Sequence, residues 1–222
     1  ITDGKENIAI GSQALTTNTL GQRAVAIGYY ALNAQTNTAG VNTYNTAVGA
    51  LAGEKVTTGI RNTLIGGLSG DAITTASYNT ALGYASLGTT TTGTLNVAIG
   101  DNALTANTTG ASNVAVGQAA LGSNTTASNN TALGYSALNA NSTGTQNVAV
   151  GALALDANTT GENNTALGWG ALTTSTTSSG NTAVGSIALY LNTTGSGNTA
   201  MGQESLRYNT TGVNNVALGY QA

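Results

Sequence analysis

Apolar and polar residues alternate along this chain in a short pattern that returns with a nearly constant period. The pattern is Asn-x-Ala-(Val/Ile/Leu)-Gly, and we call its last residue the anchor glycine. The anchor glycines are Gly11, Gly28, Gly49, Gly66, Gly83, Gly100, Gly117, Gly134, Gly151, Gly168, Gly185, Gly202 and Gly219. Eleven of the twelve intervals between them are 17 residues and one is 21. Such a period indicates a repeat architecture, in which each unit buries its apolar face against its neighbours.

Each repeat contains two short apolar pieces, and each piece is followed by turn-forming residues. Glycine, asparagine and threonine, which dominate the rest of the unit, are poor helix formers. The pattern therefore predicts an all-β fold, a parallel β-solenoid (β-roll) of 13 coils with two short strands in each coil. Residues 1–222 are predicted to form a single repeat array.

Equivalent positions in successive coils form columns, and the columns indicate which residues are buried. The residue before the anchor glycine is aliphatic or Met in all 13 coils. The residue four positions after the anchor glycine is Leu in ten of 12 coils. We expect these invariant apolar columns to be buried. Successive side chains of a strand point to opposite faces, so Ala132 and Leu133 cannot both enter one interior, nor can Ala137 and Leu138. The second apolar face predicts a partner, and we expect a parallel homotrimer.

The coils between residues 33 and 75 depart from the regular unit. Four extra residues fall between Asn33 and Asn45, and Gly53 and Gly70 stand where other coils have the inward Leu. Local stability follows buried apolar contact. We therefore expect 33–75 to be the least stable stretch, and leucine at both glycines to raise stability.

Two polar columns accompany the apolar ones. Asn opens the first strand in 12 of 13 coils, which predicts a ladder of hydrogen-bonded amides along the stack. Thr stands eight residues after the anchor glycine in 11 of 12 coils. Regular threonine columns resemble those of ice-binding solenoids, so ice binding is an alternative function. The paired threonines are adjacent, however, and adjacent side chains of an extended chain face opposite ways, which favours a structural role.

Composition narrows the function classes. Charged residues are 6% of the chain, and the net charge is −3 with five Lys and Arg. A basic surface for nucleic acid or for an anionic membrane is therefore not expected. No apolar run approaches the length of a membrane span, which predicts no direct membrane insertion by this segment. The chain starts and stops inside its repeat, so we expect it to be part of a longer protein.

The sequence has no His and no Cys, which are the commonest catalytic bases, nucleophiles and zinc ligands. We therefore expect no enzyme activity, no cofactor and no metal site. A glycan-processing enzyme of the tailspike type is a further alternative and would need a pair of carboxylates. Glu54 and Asp71 occupy equivalent places in adjacent coils, near Lys55 and Arg61 in sequence. We interpret these four residues as a solvated charge cluster.

Aromatic residues are the remaining candidates for binding. Five of them share the column just after the anchor glycine, which is mixed in polarity and predicted to face water. Exposed aromatic rings suit stacking on the apolar face of a sugar. The candidate receptor or glycan contacts are Tyr29, Tyr84, Tyr135, Trp169, Tyr220, Glu54, Lys55, Arg61 and Asp71.

At Asn-x-Ala-(Val/Ile/Leu)-Gly the sequence resembles the YadA-like head repeats of trimeric autotransporter adhesins. The longer unit, from Gly134-Tyr135-Ser136-Ala137-Leu138 to Asn158-Thr159-Thr160-Gly161, is similar to shaft repeats of bacteriophage tail fibres. The resemblance implies a homotrimeric extracellular fibre on a bacterial surface or a virion. It implies a role in attachment or as a rigid spacer, with a cell-surface glycan or protein as the receptor.

Overall fold

The structure is a computed structural model and describes residues 4–38 and 40–222. The chain forms two compact units, Ile1–Ser112 and Asn113–Ala222. Every strand in the described residues has three residues and ends immediately before an anchor glycine. The strands of the first unit are β1 (Ile8–Ile10), β2 (Val25–Ile27), β3 (Thr46–Val48), β4 (Thr63–Ile65), β5 (Thr80–Leu82) and β6 (Val97–Ile99). Those of the second are β7 (Val114–Val116), β8 (Thr131–Leu133), β9 (Val148–Val150), β10 (Thr165–Leu167), β11 (Thr182–Val184), β12 (Thr199–Met201) and β13 (Val216–Leu218).

Consecutive strands pair in parallel within each unit, residue for residue at the repeat spacing. In the second unit Thr131 pairs with Val148. In the first unit Val25 pairs with Thr46, so the longer coil accommodates its four extra residues without a change of register. The prediction of an all-β parallel solenoid with a 17-residue repeat is confirmed.

The prediction of two strands in each coil is wrong, because the second apolar piece forms a turn. In the coil that follows β8, Ser136 has φ 51° and Leu138 has φ 53°, both in the left-handed region that most residues avoid. The backbone still pairs with neighbouring coils. The Leu138 N–H donates to the Ala154 carbonyl at 2.9 Å, and the Ser136 N–H donates to the Gln118 carbonyl at 3.0 Å. Backbone hydrogen bonds therefore join successive coils along this segment, although the segment is not an extended strand.

The turn also corrects the expected burial of the second piece. Ala137 and Leu138 are both fully buried, although a strand could send only one of them inward. The left-handed residues on either side of Ala137 break the alternation and direct both side chains into the interior. The Leu column is therefore inward, as predicted, and the Ala beside it is inward as well.

On the strands the small residue points inward and the large one points outward. Ala132 is fully buried, whereas Leu133 is 46% exposed, and Leu82 of β5 is 45% exposed. The expectation that the column before the anchor glycine is buried is therefore wrong. The inward leucines of the turn segment already occupy most of a narrow interior. Only a methyl side chain fits opposite them in most coils, so the larger aliphatic side chain takes the outer face.

The coils around Gly53 and Gly70 are filled differently from the rest. Leu64 replaces the usual inward Ala of β4 and is fully buried. A Cβ at Gly53 would lie 2.8 Å from Leu64 Cδ1, and one at Gly70 would lie 2.8 Å from Leu64 Cδ2. Leu64, together with the buried side chains of Val56 and Ile73, thus occupies the space of two absent turn leucines. The expectation that leucine at both glycines would stabilise the chain assumed empty space at these positions, and the structure contradicts that premise.

Candidate functional site

The outward aliphatic residues form the largest apolar feature of the strand surface. We call the third residue of each strand the aliphatic column. It comprises Ile10, Ile27, Val48, Ile65, Leu82 and Ile99 in the first unit, and Val116, Leu133, Val150, Leu167, Val184, Met201 and Leu218 in the second. The first strand position, which also points outward, holds Ile, Val or Thr. None of the thirteen described strands has a charged residue at either position, so the outer strand face is uncharged and combines the aliphatic column with a column of Ile, Val and Thr.

The predicted aromatic residues extend this face. All five are exposed, and four of them follow a strand that ends in Leu. The pairs are Leu82 with Tyr84, Leu133 with Tyr135, Leu167 with Trp169, and Leu218 with Tyr220. Tyr29 instead follows Ile27, and its ring centroid lies 4.5 Å from that of Tyr30. The sequence shows that Leu and an aromatic residue flank one glycine. It does not show that both side chains are exposed, because it does not show that the Leu faces outward.

The aromatic residues do not form a continuous stack. Between Tyr29 and Tyr84 the same column holds Ala50 and Gly67. The ring of Tyr84 lies over Gly67, where an added Cβ would be 3.6 Å from Tyr84 Cδ2. The aromatic column thus presents separate rings rather than a continuous aromatic surface.

Three of the four predicted charge-cluster residues meet at one corner of the first unit. The Lys55 N–H donates to the Asp71 carbonyl at 3.1 Å. Partial burial raises the pKa of the Asp71 carboxyl, the charge of Lys55 opposes this rise, and the charge of Glu54 adds to it. These side chains are close enough to influence one another electrostatically.

Arg61, the fourth of them, belongs to a different column, immediately before the strand-opening Asn. Its Nη1 donates to the Tyr78 hydroxyl at 3.1 Å, and its guanidinium carbon lies 5.4 Å from the Tyr78 ring centroid. Arg23 makes the same contact with Tyr44: its Nη1 donates to the Tyr44 hydroxyl at 2.8 Å, and its guanidinium carbon lies 5.8 Å from the Tyr44 ring centroid. We call Arg23, Tyr44, Arg61 and Tyr78 the arginine–tyrosine column. Arg61 and Tyr78 could have been found by counting in steps of 17 residues from Tyr44, and Arg23 by one step of 21 across the longer coil.

The strand-opening asparagines are structural, as predicted. Asn130 is fully buried, and its backbone N–H donates to Asn113 Oδ1 at 3.0 Å. Its Nδ2 donates to the Gly144 carbonyl at 2.9 Å, and its Oδ1 accepts the Asn147 N–H at 2.9 Å. Each such amide thus bridges neighbouring coils and the corner of its own coil.

The threonines eight residues after the anchor glycine also bridge coils. Thr57 Oγ1 donates to the Thr74 carbonyl at 3.1 Å, and Thr159 Oγ1 donates to the Thr176 carbonyl at 3.0 Å. A hydroxyl that donates to the next coil has its proton engaged within the protein. This geometry supports the structural interpretation of the threonine column.

Comparisons with protein-family models, with curated proteins and with solved structures give no match for this chain. In the described part of the chain, no helix is long and apolar enough to cross a membrane. Residues 4–38 and 40–222 contain no group of three or more acidic, His or Cys side chains arranged to hold a metal ion. The outer strand face and the arginine–tyrosine column are therefore the features from which a function can be argued.

Proposed function

We propose that this chain is a structural and adhesive segment of an extracellular trimeric fibre, on a bacterial surface or in a phage-type tail fibre. In this role it positions or attaches the fibre and catalyses no reaction. The observation that carries the proposal is the aliphatic column, which consists only of Val, Ile, Leu and Met and yet remains partly exposed in a single chain, with Leu82, Leu133, Leu167 and Met201 44–46% exposed. The extracellular location rests on the resemblance of the repeat to adhesin heads and fibre shafts.

The occupant that best fits the outer strand face is another copy of the same chain. Large continuous apolar surfaces on soluble proteins mark interaction sites. Within each unit the column repeats once per coil in strand register, so a parallel copy presents the same spacing. Neither outward strand position carries a charge that would oppose the contact of like surfaces. Closed symmetry is the usual outcome of such self-association, and a trimer is the form that the resemblance implies.

The four Leu–aromatic pairs are the expected anchors of this contact. Binding energy in protein interfaces is concentrated in a few large side chains, with Trp and Tyr prominent among them. Leu82, Leu133 and Leu167 are more exposed than most of the Val and Ile residues of the same column. They therefore gain most from being covered by another copy.

Light scattering of the purified chain tests the proposal. The wild type is expected to give three times the chain mass of 21.7 kDa. A variant with Leu82→Ser, Leu133→Ser and Leu167→Ser should give the mass of one chain, because each substitution removes about 2 kcal/mol or less of apolar burial per copy. Its fold should persist, since these side chains are outside the interior.

The matched control replaces exposed apolar residues away from the strands. Leu95→Ser with Val213→Ser changes two side chains that are more than half exposed and belong to no strand. This control should keep the trimer mass. A monomeric wild type, or a triple variant that remains trimeric, would show that the outer strand face does not hold copies together.

A further inference from the structure

The arginine–tyrosine column places a guanidinium between two tyrosines at consecutive levels of the first unit. Tyr44 and Tyr78 are 45% and 47% exposed. Arg61 is also exposed, and its hydrogen bond to the Tyr78 hydroxyl holds it along that ring. A guanidinium has five N–H donors, and this bond uses one of them. The remaining donors of Arg61 are oriented and available to a ligand.

The two arginines of the column differ in their charge partners. Arg23 Nε lies 2.6 Å from Glu6 Oε2, and Arg207, in the second unit, lies 3.0 Å from Glu204. These are the ion pairs recorded between described residues, and Arg61 takes part in neither. Arg61 is therefore the arginine whose positive charge is compensated by no salt bridge within the described chain.

Tyr44, Arg61 and Tyr78 also share an unusual backbone conformation. Tyr44, Arg61 and Tyr78 have φ values of 50°, 58° and 62°, in the left-handed region where Asn and Gly are the tolerated residues. In the second unit the equivalent positions hold Asn129, Gln146, Asn163, Gly180, Gly197 and Asn214, all likewise at positive φ. The left-handed backbone is thus a feature of the whole column, and what distinguishes the first unit is the run of Tyr, Arg and Tyr in consecutive coils.

We propose that Arg61, with Tyr44 and Tyr78, binds a carboxylate-bearing sugar of an acidic polysaccharide. The planar guanidinium matches a carboxylate with two parallel hydrogen bonds. The exposed tyrosine rings offer apolar faces to the sugar ring and hydroxyls to its polar groups. The site lies within one chain, so it does not require the self-association proposed above. If the chain is part of an attachment fibre, the site supplies a ligand class for it.

Binding to immobilised hyaluronan, whose only charged groups are carboxylates, tests the site at low ionic strength. Neutral dextran and dextran sulfate serve as comparison surfaces. The wild type is expected to bind hyaluronan and not dextran. Arg61→Asn should weaken hyaluronan binding about tenfold or more, because a charge-assisted hydrogen bond is lost. Asn suits the left-handed backbone at this position, so the thermal midpoint should stay the same or rise.

Arg207→Gln is the matched control, because Arg207 also lies over a tyrosine, with its guanidinium carbon 5.3 Å from the Tyr208 ring centroid, but is neutralised by Glu204. It should leave binding unchanged. Tyr78→Phe should keep most of the binding, and Tyr78→Ser should lose it. No binding to hyaluronan, binding to dextran sulfate alone, or full binding by Arg61→Asn would each overturn the proposal. The light-scattering mass of each sample separates these outcomes from a failure of self-association.

Discussion

Replacing Gly83 with alanine is expected to lower the free energy of unfolding by more than about 4 kcal/mol. Gly83 has φ 139°, and a Cβ there would lie 2.5 Å from the carbonyl oxygen of Gly100 and 2.6 Å from its carbonyl carbon. The obstructing atoms are backbone atoms of the next coil and cannot rotate away. Two adjacent coils would have to separate, with loss of the hydrogen bonds between them. Urea unfolding followed by circular dichroism measures the difference.

Gly67→Ala is the matched control in the same unit. A Cβ at Gly67 would meet its nearest atom, Tyr84 Cδ2, at an ordinary 3.6 Å, and Gly67 is not among the residues with positive φ. Alanine there should change stability by less than about 1 kcal/mol, through the entropy of the unfolded chain. Equal losses for the two variants would contradict the close approach of coils at the anchor glycines.

The second large effect is expected at Leu64, which fills the space left by Gly53 and Gly70. Leu64→Ala should cost about 2–5 kcal/mol, the usual range for a buried leucine whose cavity cannot collapse. The turn of its own coil has Gly70 and that of the preceding coil has Gly53 in place of the inward leucine, so neither offers a side chain at that position to fill the gap. Elsewhere on the strands alanine is the normal inward residue, so the cost arises from these neighbours and not from alanine itself.

A double-mutant cycle separates this explanation from a general effect of truncation. Gly70→Leu alone should destabilise by about 1–3 kcal/mol, because Leu64 Cδ2 already occupies the position of the new side chain. The backbone itself permits leucine, since Gly70 has φ 56° and Leu87, in the same column, has φ 53°. In the Leu64→Ala background Gly70→Leu should instead raise stability. Additive effects in urea unfolding would show that the two positions do not share one space.

The repeat made much of the fold predictable. The anchor glycines gave the coil length, and the asparagine four residues before them marked where the strand begins in 12 of 13 coils. The inward Leu column, with Leu138 as an example, and the asparagine ladder followed from invariance down the stack. These features depend on residues that are close in sequence or related by the 17-residue period, which is why a single sequence shows them.

The second apolar piece could not be assigned correctly, because its conformation is imposed from outside the piece. A Ser-Ala-Leu segment is as typical of a strand as of a turn. Its left-handed residues are stabilised by hydrogen bonds to other coils, such as that from Leu138 to Ala154. Local propensity opposes this conformation for leucine. Only the stacked coils make it favourable.

The direction of the strand side chains also depended on the whole cross-section. Ala132 and Leu133 are both apolar, and burial of the larger one would remove more surface from water. The available interior width decides in favour of Ala132, and that width is set by the buried leucines of the turn segment. At the candidate site, proximity in sequence placed Arg61 with Lys55. The coil geometry instead places it over Tyr78, one full repeat away.

A spin label on the outer strand face tests the central claim, that copies of the chain pack through the aliphatic column in parallel register. The chain contains no cysteine, so Leu133→Cys gives a single labelling site, and Thr143→Cys labels an exposed corner of the same coil. Pulsed electron–electron double resonance on each labelled protein measures the distance between equivalent positions of associated copies. We expect a defined distance between the labels at position 133 of associated copies, shorter than the distance between labels at position 143. Absence of any distance between labels, or a longer distance at position 133 than at 143, would contradict it.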